Sequence, residues 1–249
     1  MSIKKHFPIW FKYPFWWLIK APQRKLGPYT LIADIRAITG YLLSKKEKNK
    51  PALLPVTICT GLSNRSENYI NFLLHSVLQM EHQDLIILSV FDCSSTDIPE
   101  LKSIIQKSFK GKLIFSSQSC SFSRSFTFNK AIQQAPDGLI FACDADVSLP
   151  YDFVQRCNRV IVGKRVWFPI LKAEKEKEGY FWFTESTGMF GCMKKNFEEI
   201  GGYDENFKVW GLEDTDLWLR FYKKGFWPLR LREQSMLHHW HVPADKKYN

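Results

Sequence analysis

Four unbroken apolar stretches recur through the middle of the chain, separated by segments whose apolar residues follow a helical repeat. "PVTICT" (55–60), "LIILSVFD" (85–92), "KLIFSS" (112–117) and "GLIFACD" (138–144) predict strands. Between them, "SENYINFLLHSVLQM" (66–80) carries Tyr69, Phe72, Leu73 and Val77 on one helical stripe. "DIPELKSIIQKSF" (97–109) predicts a second helix with Thr96 as its cap, and "SRSFTFNKAIQQA" (123–135) a third. Strands that are apolar throughout, rather than alternating, are covered on both faces. Alternating with helices over short connections, they predict an open, mainly parallel α/β sheet flanked by helices.

Beyond Pro150 the pattern loosens. It predicts a helix over 151–162, one short strand in "VWFPIL" (166–171), a solvated turn in "KAEKEKEG", a helix near 194–200 and another from Glu213 to Lys224. Residues 51–150 read as a nucleotide-binding half and 151–249 as a second half of the same domain. In such sheets ligands gather at the carboxyl ends of the strands.

Charge changes this picture only at the front. Residues 1–50 hold eleven Lys and Arg against Asp34 and Glu47, so this stretch carries nearly all of the formal net charge of +10. Its lysines interleave with Trp10, Phe11, Tyr13, Phe15, Trp16 and Trp17, a composition suited to the interface of an anionic membrane or to packing against the body or a second subunit. Nucleic acid fits the charge, but no recognised module accompanies it and none is expected as a partner. "FPIWFKYPFWWLI" is broken by Lys12 and two prolines and does not read as a signal peptide, and no run is long enough for a membrane span. Six scattered cysteines without a CxxC pair predict buried, reduced thiols and a cytoplasmic chain, peripheral on the membrane at most.

Candidate chemistry falls at strand ends. Asp144 and Asp146, at alternate positions of an extended segment, are expected to share a face and offer oxygen ligands to Mn²⁺ or Mg²⁺; solvated acids of a surface turn are the plainer alternative. Asp92, in "FDCSSTD", fits either a ribose or base contact or an Asx turn. Arg65 in "GLSNRSENY", and Arg124 and Asn129 in the third helix, fit a phosphate-rich ligand or solvated helix faces. In "VWGLEDTDLWLR", Glu213, Asp214 and Asp216 open a helix, where its dipole favours acids. Trp210 and Gly211 beside them also fit a sugar site with an aromatic face and a general base. "MLHHWHVP" brings His238, His239 and His241 together, neutral imidazoles able to ligate a borderline metal whose shell Asp146 would complete.

In this order the motifs resemble the GT-A fold glycosyltransferases: the inverting family two, joined to a C-terminal module like that of the β-1,4-galactosyltransferases and chondroitin synthases. The likeness runs from about Pro55 to the C-terminus and is most specific in "GMFGCMKKNFEEIGGYDENFKVWGLEDTDLWLRFYKKG". It implies a Rossmann-like GT-A domain over 51–249. It also implies a UDP-sugar donor held through Thr60, Arg65, Glu67, Asp92, Arg124, Asn129 and Asp144. Further implied are a cation on Asp146, His241 and His238, an acceptor site at Trp210, Gly211 and Glu213, and Asp214 as catalytic base.

The activity so implied is metal-dependent inverting transfer of a hexose or N-acetylhexosamine to a glycan or lipid-linked saccharide, in surface polysaccharide synthesis. A catalytically inactive nucleotide-sugar-binding protein of the same fold is the alternative. A nucleotidyltransferase on a related sheet is disfavoured, because "CTGLSNRSEN" lacks a glycine-rich phosphate loop.

Overall fold

The structure is a computed structural model and describes residues 52–184, 186–207 and 212–241. The basic aromatic segment at 1–50 lies outside the described residues, as do Trp210 and Gly211. The four apolar runs form β1 (Val56–Leu62), β2 (Ile86–Asp92), β3 (Lys112–Ser117) and β4 (Leu139–Ala142), paired in parallel in the order β3-β2-β1-β4. The chain winds outward from β1 to β3 and then crosses back to place β4 on the other side of β1. This reversal opens a crevice at the carboxyl ends of β1 and β4, where open α/β sheets take their ligands.

Side chains alternate across the sheet and build two cores. Val56 and Ile58 of β1 face α1 (66–77), α2 (Leu101–Ser108) and α4 (Phe153–Val160). Cys59, with Ile140 and Ala142 of β4, faces α3 (Arg124–Gln133), α5 (Lys194–Glu199) and α6 (Glu213–Lys223). The first helix begins and ends as α-helix but is π-helical over Tyr69–Leu74. Helix α2 starts later than expected, and Thr96 does not cap it: its N-cap is Glu100, without a side-chain cap bond, while the Thr96 amide donates to Asn64 Oδ1. Gly61 is required by close approach. A Cβ there would sit 2.3 Å from Thr127 Oγ1, so glycine lets α3 lie directly on β1.

The second half departs further from expectation. "VWFPIL" is two strands, β6 (Arg165–Trp167) and β7 (Ile170–Glu174), because Pro169 has no N–H for a ladder. Strand β6 stays in the large sheet beside β9 (Phe190–Met193) and β10 (Trp227–Leu229). Strand β7 enters a second sheet, ordered β5-β11-β7-β8, with β5 (Val147–Ser148), β8 (Tyr180–Trp182) and β11 (Arg232–His238). The charged turn after β7 is exposed, as expected.

The expectation of six free thiols is corrected for one pair. Cys93 and Cys120 form a disulfide, their Cα atoms 5.3 Å apart. The parallel pairing of β2 with β3 ends both strands at the same level, so the segments that follow them meet. Cys59, Cys143, Cys157 and Cys192 are free and buried. Among the described residues, no helix is long and apolar enough to cross a membrane.

Candidate active site

The two aspartates of "DAD" do not share a face, which corrects the strand-based expectation. β4 ends at Ala142, and the chain turns through Ala145 and Asp146 before β5. The carboxylates therefore part company. Asp144 ion-pairs with Arg124 Nη1, whereas Asp146 faces the tail.

Pairing of β11 with β5 supplies that tail: His238 stands opposite Val147, and the His239 amide donates to the Asp146 carbonyl at 2.8 Å. His241 Nε2 reaches Asp146 Oδ2 at 2.7 Å, and His238 Nε2 lies 3.6 Å from Oδ1. One donor atom from each of Asp146, His238 and His241 falls within 4.8 Å of the others. The Asp146 Oδ1 atom is buried without a hydrogen-bond partner in the structure. Burial works against charge on Asp146, but the hydrogen bond from His241 and the positive field of both imidazoles hold its pKa below the ordinary carboxylate value. An orphaned carboxylate oxygen and two converging imidazoles form a donor set that fits a single borderline cation.

His239 does something else. Its ring stacks on Phe72 with centroids 3.9 Å apart, Nε2 meets Ser148 Oγ at 2.7 Å, and Nδ1 lies 3.3 Å from Glu174 Oε1. It fastens the tail to the body and is not in the donor cluster. Arg65, the residue that opens α1, places Nη1 3.1 Å from His241 Nδ1, so the structure sets it at the imidazoles.

The second acidic cluster comes from α6, on the same side of the sheet as α3. Leu212 precedes it with φ +73°, a left-handed turn that costs a leucine strain and starts the helix at Glu213. Glu213 is buried, its Oε1 3.8 Å from Arg124 Nε. Asp214 accepts from Thr187 Oγ1 at 3.0 Å and from the Thr215 amide at 2.8 Å. Arg124 also donates to the Gly188 carbonyl at 2.6 Å and lies over the Phe128 ring. Burial opposes its charge, yet Asp144 above all, with Asp214, holds its pKa above the ordinary guanidinium value. One guanidinium thus ties the turn after β4 to the start of α6.

Other expected site residues divide. Asp92 is buried at the end of β2. Its carboxylate accepts from the Ser95 amide at 3.0 Å, from the Ser95 hydroxyl and from Ser117 Oγ at 3.2 Å, the Asx-turn arrangement. Thr60, near the end of β1, is buried with its Oγ1 unpartnered. Glu67 is exposed in the first turn of α1. Asn129 is not brought to the cluster, because five helical residues turn it about 140° away from Arg124. Its amide binds the Tyr203 carbonyl, the Tyr203 amide and Glu205, securing the chain ahead of α6.

Sequence reasoning missed Thr187, Gly188 and Arg230. Thr187 and Arg230 stand in no recognisable motif, and Gly188 opens the most specific block without any sign of its own contact with Arg124.

The chain is similar to known proteins. The family model described as the N-terminal domain of galactosyltransferase matches residues 170–242, the stretch containing Thr187, Asp214 and the imidazoles. Chondroitin sulfate synthase 3 of Homo sapiens is 29% identical over 252 aligned positions, covering 90% of this chain and 29% of that protein. Chondroitin sulfate N-acetylgalactosaminyltransferase 1 of Mus musculus is 23% identical over 226, covering 79% and 43%. The chain thus spans less than half the length of either relative. The crystal structure of S. aureus TarS 1-349 in complex with UDP-GlcNAc superposes with a TM-score of 0.64 at 14% identity, over 77% of this chain and 60% of that one. The chain has a GT-A, galactosyltransferase-like fold. Arg65, Asp144 and Asp146 follow the carboxyl ends of β1 and β4, and Arg124 links Asp144 to Glu213 at the start of α6.

Proposed function

We propose that the chain is a glycosyltransferase that moves a hexose or N-acetylhexosamine from a UDP-sugar to a saccharide acceptor with inversion. The observation that carries this reading is the presence on one GT-A scaffold of a carboxylate–imidazole cluster (Asp146, His238, His241) and a partly open carboxylate, Asp214, at the start of α6. Relatives named as chondroitin synthase and N-acetylgalactosaminyltransferase support a sugar nucleotide as donor, and the TarS complex holds UDP-GlcNAc on the same fold.

In this reading the diphosphate lies over the ends of β1 and β4. Asp146, His238 and His241 would hold a divalent cation, with two imidazoles favouring Mn²⁺ over Mg²⁺. When bound, that cation supplies neutralisation of the charge growing on the departing diphosphate. Arg65 is close enough to the imidazoles to turn toward the same phosphates, and the end of β2 at Asp92 offers a wall for the nucleoside. Asp214 takes the proton from the acceptor hydroxyl as that oxygen attacks the anomeric carbon from the face opposite the diphosphate. The new bond forms as the old one breaks, and no covalent sugar–enzyme intermediate is needed. Buried Glu213, beside Arg124, bounds the acceptor side.

The acceptor is a glycan or a lipid-linked saccharide in surface polysaccharide synthesis, and the basic aromatic segment at 1–50 suits an anionic membrane bearing such acceptors. The test is transfer by Asp214→Asn, scored as UDP released from a panel of UDP-sugars with Mn²⁺ present. We expect a loss on the order of a hundredfold or more, with UDP affinity kept. A wild-type rate would remove the proposed base. UDP binding without turnover across a wide acceptor panel would leave a nucleotide-sugar-binding protein instead.

A further inference from the structure

We propose that Thr187 is a positioning residue for Asp214, fixing the carboxylate in the orientation that proton removal requires; this rests on the reading of Asp214 as the base. Thr187 is buried, 6% exposed, and its single hydroxyl proton goes to Asp214 Oδ2 at 3.0 Å. The other oxygen, Oδ1, accepts the Thr215 amide at 2.8 Å. Oδ1 also takes the Thr215 hydroxyl at 3.5 Å, whereas Oδ2 takes one donor among the described residues, so the carboxylate plane is set while Oδ2 keeps acceptor capacity for a substrate hydroxyl.

What makes this more than a satisfied buried threonine is how Thr187 is itself held. Arg230 Nη2 donates to the carbonyls of Thr184 at 2.6 Å and Ser186 at 2.9 Å, on one side of Thr187. On the other side Arg124 Nη2 donates to the Gly188 carbonyl at 2.6 Å. A Cβ at Gly188 would lie 3.3 Å from that same Nη2, a tight contact to which the guanidinium would have to yield slightly. Two guanidiniums thus grip the backbone before and after one threonine. Arg124 is also paired with Asp144 and lies beside Glu213. The hydroxyl is placed in advance by the contacts that hold the acidic centre together, the condition under which a polar group contributes to rate rather than merely to folding.

The experiment compares wild type, Thr187→Val, Thr187→Ser and Asp214→Asn as full chains, by UDP release under saturating and limiting donor. Thr187→Val is expected to lower kcat about tenfold, the effect of losing a hydrogen bond to a charged group. KM for the donor should stay within about twofold, and Thr187→Ser should recover most of the rate. The fall in kcat at unchanged KM, together with rescue by serine, is a pattern that a purely structural role would not produce.

A Thr187→Val kcat within about twofold of wild type, with Asp214→Asn inactive, overturns the inference and leaves Asp214 as base. A wild-type rate in Asp214→Asn overturns the reading beneath it. Should the valine variant fail to fold, Thr187→Ala against Thr187→Ser makes the same comparison. A slow alanine variant with an active serine variant supports the role, and equal rates overturn it.

Discussion

His241 and Asp146 meet at 2.7 Å although they come from different halves of the domain, Asp146 from the end of the first and His241 from the tail of the second. The contact is a consequence of strand pairing: β11 lies antiparallel to β5, and the His239 amide closes on the Asp146 carbonyl. The three histidines of the tail then divide between two tasks. His238 and His241 face the carboxylate, while His239 anchors the segment against Phe72, Ser148 and Glu174.

Arg124 is the joint between the two halves of the site, and its removal should be felt in stability as well as rate. Its side chain is 14% exposed and Asp144's is 29%, so replacing it leaves a partly buried carboxylate without its partner. Arg124→Met is expected to cost roughly 2–3 kcal/mol, below the range for fully buried pairs, measured by urea unfolding. Arg124→Lys should recover only part of this, because an ammonium cannot serve Asp144 and the Gly188 carbonyl through a rigid fork.

The disulfide gives a direct count. In denaturant without reductant, four of the six cysteines should react with a thiol reagent, and all six after reduction. With 27 residues separating the pair, closing the loop is expected to contribute about 3–4 kcal/mol, seen as a lower unfolding midpoint for Cys93→Ser/Cys120→Ser.

His239 sets a pH dependence. Burial holds its pKa below the ordinary imidazole value, with Glu174 opposing that shift. The unfolded chain therefore takes up a proton near pH 6.5 that the folded chain resists. Stability is fully present above that value and is lost as pH falls through it toward the folded pKa. Unfolding in EDTA at about pH 7.5 and about pH 5.5 should show the loss, and His239→Phe, which keeps a ring against Phe72, should shrink the difference.

The four parallel strands were legible because a strand covered on both faces reads as one apolar run, and the expected bounds differ from β1 to β4 by a few residues at most. The second sheet was not. β11 is "REQSMLH", a mostly polar strand whose pairing with β7 and β5 has no periodic signature, and Pro169 divides one apolar run between two sheets. Of the site, the acids and imidazoles were visible as residue types at strand and helix ends. Their partners were not: Asp144 with Arg124, Arg65 with His241, and Thr187 with Asp214 are contacts between distant segments, fixed by loop paths that hydrophobic pattern does not encode. Asn129 was visible as a residue type in α3, but its bonds to Tyr203 and Glu205, again between distant segments, were not.

The central claim is that Asp146, His238 and His241 jointly hold one cation that binds the donor's diphosphate. Calorimetric titration of Mn²⁺ into the protein with UDP present, for wild type, Asp146→Asn and His241→Ala, tests it most directly. The account predicts one site per chain in wild type, weakened at least tenfold in either variant, with UDP affinity falling when EDTA is added. Equal Mn²⁺ affinity in all three proteins, or UDP binding indifferent to EDTA, would contradict it.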